Sequence, residues 1–145
     1  RPNPWALRCL ARLERQDGRD GLERYRQALA LRPDCWEIAL EYARALLESG
    51  QPEAFLAYRE TLPDSWKNAP RFLYLEADAR METGDYARSR AILLAPLVIP
   101  DMQEGELSLS HLWQKLHSRE FGIPMEEAAA RFPLPYELDY RMHAE

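Results

Sequence analysis

Cysteine is scarce in this chain. Two thiols in 145 residues, Cys9 and Cys35, do not make a disulfide framework for a protein of this size. Cys9 falls on an apolar helical stripe, where a thiol behaves as a small hydrophobe, and Cys35 lies in the first turn of a later helix. Metal-ligand spacings are missing too. There is no CxxC and no HExxH; His111 and His117, six apart on a helix, point to different sides, and His143 sits at the chain end. GxSxG, GxGxxG and the P-loop are absent, so no nucleophile, dinucleotide cradle or phosphate cradle is written into the sequence. Glu104 and Glu106 around Gly105 read as a solvated turn. No catalytic residue, cofactor or metal is therefore expected of this chain alone. No apolar run approaches the ~20 residues that cross a bilayer, which argues against a membrane span. Clustered basic charge is confined to residues 1–33, with eight arginines against four acids; the whole chain carries −5, a poor balance for nucleic acid.

What the sequence does contain is repeated punctuation. Glu48-Ser49-Gly50-Gln51-Pro52 and Glu82-Thr83-Gly84-Asp85-Tyr86 place their glycines thirty-four positions apart, and Asp17-Gly18-Arg19-Asp20 supplies an earlier copy. A period of this size is produced by stacked helix-turn-helix units, each burying its apolar face against its neighbours. With Asp17 set opposite Gly50 and Gly84 as the turn-opening residue, the first helices carry a stripe at i, i+3, i+4, i+7. It runs Ala6, Cys9, Leu10, Leu13 in the first unit and Ala39, Tyr42, Ala43, Leu46 in the second. The third, Leu73, Glu76, Ala77, Arg80, is half charged. The second helices align with a small residue at the point of close approach (Gly21, Ala54, Ser89) and a large one four later (Tyr25, Tyr58, Leu93).

These positions, with the ending Ala28-Leu29-Ala30-Leu31-Arg32-Pro33, resemble the tetratricopeptide repeat family. The resemblance covers roughly residues 3 to 97 and implies an all-α, right-handed solenoid of about three repeats (3–33, 34–66, 68–97). Helix starts are expected at Asn3-Pro4, Asp20 with Glu23, Asp34 with Glu37, and Gln51-Pro52. With a loop from Leu62 to Ala69, six helices precede residue 97.

Beyond that point the period stops. Residues 98–145 read as an extended connector, a capping helix from Glu106 to Leu116 with Leu109, Leu112, Trp113 and Leu116 on one face, a short helix from Met125 to Phe132, and an extended tail alternating Phe132, Leu134, Tyr136, Leu138, Tyr140 and Met142. The run Glu104 to Trp113 and the ending Phe132-Pro133-Leu134-Pro135 to Met142 look like the C-terminus of large bacterial proteins. Those proteins place such repeats after a carbohydrate-associated β-sandwich domain of uncertain activity. That likeness implies an accessory part of a bigger protein, whose upstream region could carry an enzymatic domain.

In the tetratricopeptide family the first helix of each repeat lines a concave groove. Carried over by register, this places Leu7, Ala11 and Glu14 there from the first unit, Leu40, Arg44 and Leu47 from the second, and Arg71, Tyr74, Asp78 and Met81 from the third. The expected partner is a protein or extended peptide whose carboxylates or carbonyls meet the arginines, or a preceding domain of the same polypeptide. The family's two-carboxylate-clamp pattern of lysines and asparagines is absent.

Overall fold

Local turn chemistry fixes where the helices begin and end. Asn3 caps α1 (Pro4–Gln16) by accepting from the Trp5 and Ala6 amides, and Pro4 occupies the first helical position, where its missing N–H costs nothing. Gly18, Gly50, Gly84 and Gly122 all take left-handed backbone conformations just beyond a 13-residue helix. The computed structural model describes residues 2–95, 97, 99 and 108–135; the expected tail from Tyr136 onward and the Glu104–Glu106 turn lie outside them. Among the described residues every regular element is helical.

The chain packs as two units, Arg1–Thr61 and Leu62–Glu145. The first holds α1, α2 (Leu22–Leu31), α3 (Trp36–Glu48) and α4 (Pro52–Glu60), with α2 packed on both α1 and α3, and α4 on α3. Of the stripe expected on α3, Ala39, Ala43 and Leu46 are buried, while Tyr42 is half-buried and meets the Tyr58 ring edge-on at 4.7 Å.

The stripe expected on α1 is not the buried one. Ala6, Cys9, Leu10 and Leu13 are exposed, and Leu7 and Ala11 are buried in their place. The reason is register. Gly18 and Gly50 are thirty-two residues apart, not thirty-four, and the first turn takes four residues from Gly18 to Leu22 where the next takes two from Gly50 to Pro52. The residue that stands opposite Gly50 is therefore Gly18 and not Asp17, and moving the alignment by that one position rotates the helix by about 100°. Aligned on the helix starts, Ala11, Ala43 and Ala77 are the eighth residues of α1, α3 and α6 (Pro70–Glu82), and all three are fully buried.

The second helices correct in the same way. Their fourth residues, Tyr25, Phe55 and Ser89, are fully buried, whereas Ala54 is exposed. Gly21 keeps its role at a close approach: a Cβ there would lie 2.7 Å from the Ala11 carbonyl oxygen.

The second unit opens with α5 (Asp64–Lys67), a single turn following Pro63 where the sequence pattern implies only loop, so among the described residues seven helices precede residue 97. It continues with α6, α7 (Tyr86–Leu94), α8 (Leu109–Phe121) and α9 (Met125–Arg131). Ser89 Oγ donates to the Ala77 carbonyl at 2.8 Å and closes the α6–α7 contact. The charged stripe of α6 has a structural reason: Glu76 is only 1% exposed and accepts from Arg80 Nε at 3.2 Å and from Arg88 Nη2 of α7 at 3.1 Å.

The capping-helix face lands as expected. Leu109, Leu112, Trp113 and Leu116 join Ala77, Met81, Ile92, Leu93 and Ile99 in one apolar cluster, with α8 packed on α6 and α7. The helix starts later and runs further than its sequence pattern, from the Ser108 cap to Phe121. The period lapses in sequence but not in form: α8, the left-handed Gly122 and α9 make a fourth helix-turn-helix pair, in which Ala128, the fourth residue of α9, is fully buried. Phe132 stacks on His117 and Phe121 at centroid distances of 4.2 and 5.0 Å, and Leu134 packs against the cluster.

Candidate interaction surface

The ten residues expected to line a groove divide between the two units. In the first, Leu7 and Ala11 are core residues of α1 and have no surface to offer; the one-position register shift turned them inward. Glu14 is half-buried and committed to arginines, accepting from Arg24 Nε at 3.1 Å with Arg19 at 3.9 Å. Leu40, Arg44 and Leu47 fall at i, i+4, i+7 on α3, all half-buried, and keep a continuous partly accessible stripe.

In the second unit Met81 is buried in the apolar cluster, and half-buried Tyr74 packs against that cluster, while Arg71 stays half-buried. Asp78 accepts from Lys115 Nζ of α8 at 2.6 Å, and the same ammonium lies 2.8 Å from Glu82, which Arg119 also meets at 3.3 Å. Burial works against the charge on Lys115, but Asp78 and Glu82 outweigh it and raise its pKa. Burial likewise opposes ionisation of Glu82, and Lys115 and Arg119 more than offset it, so its carboxyl titrates below the usual range. In this unit, then, the α6 face assigned to an outside ligand is engaged by the chain's own α8.

Sequence reasoning missed an arginine edge on α1. Arg8, Arg12 and Arg15 recur at i, i+4, i+7 and face α3: Arg8 Nε meets Glu41 at 2.6 Å, Arg12 reaches Glu41 only at 4.0 Å, and Arg15 pairs with Glu48. The spacing was visible as a helical period within the basic first repeat, but nothing local said which helix it would face.

Where the ends of α1 and α3 come together, an open cleft of about 980 Å³ is lined by Arg12, Glu14, Arg15, Gln16, Gly18, Arg19, Asp20, Glu48, Ser49 and Gln51. Arg12 and Arg19 are its most solvent-accessible cations. Such a mixture can hydrogen-bond main-chain carbonyls and pair with carboxylates. Among the described residues no three His, Cys, Asp or Glu are placed together so that they could hold a metal ion. No helix of the described residues is long and apolar enough to cross a membrane.

No curated protein and no solved structure matches the chain. The family model for the tetratricopeptide repeat matches residues 12–75, from the middle of α1 to the middle of α6. Its reach takes in the turn glycines Gly18 and Gly50 and the buried pair Ala43 and Phe55, the features on which the helices align. Over residues 12–75 the chain is similar to the tetratricopeptide repeat.

Proposed function

We propose that this chain is a non-catalytic interaction scaffold that binds a protein or peptide segment through its first unit. The observation that carries the reading is the tetratricopeptide match over residues 12–75, a repeat whose common use is protein interaction. Within the first unit two surfaces suit that use: the half-buried stripe Leu40, Arg44 and Leu47, and the polar cleft with Arg12 and Arg19 at its accessible rim. Apolar side chains interleaved with arginine give an extended segment both burial and paired acceptors. The test is affinity capture from the source cells with the wild-type chain and with Arg19→Glu and Leu47→Glu variants of unchanged melting temperature. A partner held by the wild type and lost by the variants is the expected result. Equal retention by all three, or loss to neither surface, removes these surfaces as the binding site.

A further inference from the structure

The outward face of α1 has the composition of a buried helix face. Trp5, Leu10 and Leu13 are 47%, 43% and 56% exposed, and Ala6 and Cys9 between them are exposed as well. Ala6, Cys9, Leu10 and Leu13 are spaced at i, i+3, i+4, i+7, with Trp5 one turn before Cys9, and so form the ridge that another helix packs against rather than a scatter of isolated surface hydrophobes.

The second unit shows how this protein covers such a ridge. There α8 lays Leu112, Trp113 and Leu116 on α6 and α7 and seals the edge with opposite charges, Lys115 to Asp78 and Glu82, and Arg119 to Glu82. On α1 the charges have the other sign. No acid occurs in residues 1–13, and the stripe is bordered by Arg8, Arg12 and Arg15. Glu41 and Glu48 of α3 face Arg8 and Arg15, but Arg12 remains 58% exposed with its nearest carboxylate oxygen at 4.0 Å. A second copy of this face would bring arginine and no acid. On these grounds, and resting on the scaffold reading, we propose that the α1 stripe docks a partner helix whose own apolar stripe is edged by Asp or Glu.

The probes are two synthetic helical peptides with the same leucine stripe, one edged with glutamate and one with lysine, added to the full chain. Exposed Cys9 lies inside the footprint and buried Cys35 does not, so alkylation of Cys9 reports occupancy alongside peptide anisotropy. The glutamate-edged peptide is expected to bind and to protect Cys9, with the lysine-edged one about tenfold weaker. Arg12→Glu should reverse that order, and Leu10→Glu with Leu13→Glu should abolish both without lowering the melting temperature. Equal binding of the two peptides overturns the proposal. So does protection of Cys9 by protein concentration alone with dimer mass in sedimentation, or by phosphatidylglycerol vesicles in place of peptide. The Arg19→Glu chain, altered in the cleft, should still hold the glutamate-edged peptide, so the stripe and the cleft fail separately.

Discussion

Ala43 and Ala54 look alike in the sequence, both small residues in repeated positions, yet only Ala43 is enclosed. Overpacking a closed site forces neighbours off their rotamers, so Ala43→Leu is expected to destabilise by roughly 1–3 kcal/mol. Ala54→Leu, on an exposed face, should stay within about 0.5 kcal/mol. Urea denaturation of both variants separates the cases, and equal losses would contradict the burial pattern. The glycines divide similarly. Gly18 has open space where a Cβ would go, so Gly18→Ala carries only the left-handed backbone penalty of about 1–2 kcal/mol. Gly21→Ala adds a clash with the Ala11 carbonyl and should cost distinctly more by the same measurement.

Helix α6 is the element whose stripe broke the apolar rule, and the ion cluster on Glu76 accounts for it. Carboxylate burial is tolerated because Arg80 and Arg88 both donate to it, one from its own helix and one from α7. Losing Arg88 alone leaves Arg80 in place; losing both removes two charged donors from a buried carboxylate. Arg80→Ala with Arg88→Ala is therefore expected to cost about 3–5 kcal/mol, well beyond the single Arg88→Ala, in chemical denaturation. The α8 contact with α6 has its own pH signature. Because the folded pKa of Glu82 is depressed, its contribution is complete above the ordinary carboxylate value of 4.5 and is lost as pH falls through the lower folded one. Because that of Lys115 is raised, its contribution is complete below the ordinary 10.5 and is lost as pH rises through the higher folded one. Melting temperature should hold level between those limits and fall on both sides, and Lys115→Met should flatten the alkaline fall.

At the scale of the molecule, the unit formed by residues 62–145 depends on its last helices. A chain ending at residue 100 would uncover Ala77, Met81, Ile92 and Leu93, the surface that Leu112, Trp113 and Leu116 close. At ~25 cal/mol per Å² that loss amounts to several kcal/mol, so the shortened protein is expected to melt lower or aggregate, as calorimetry and light scattering would show. The inward face of α8 was readable beforehand, because Leu109, Leu112, Trp113 and Leu116 sit at helical spacing and no competing face exists. The turn glycines were readable for a local reason as well, since a left-handed residue after a helix is nearly a glycine's preserve. The inward face of α1 was not. Its apolar stripe at Ala6, Cys9, Leu10 and Leu13 is as regular as a core stripe, and the arginines that turn it outward find their carboxylates on α3, thirty-three residues away. Both helices of the fourth pair were legible, but that α8 and α9 pair as the earlier repeats do was not, because their glycine falls thirty-eight residues after Gly84 and Leu116 stands where the earlier units have alanine. Sequence by itself determined that this protein is helical, where its turns fall and which face of α8 closes the second unit, since periodicity and turn chemistry are properties of a few neighbouring residues. Only the tertiary structure decided which way α1 faces and how Glu76 is neutralised, because a one-residue change of register turns a helix by about 100° and ion pairs between helices leave no mark in local spacing.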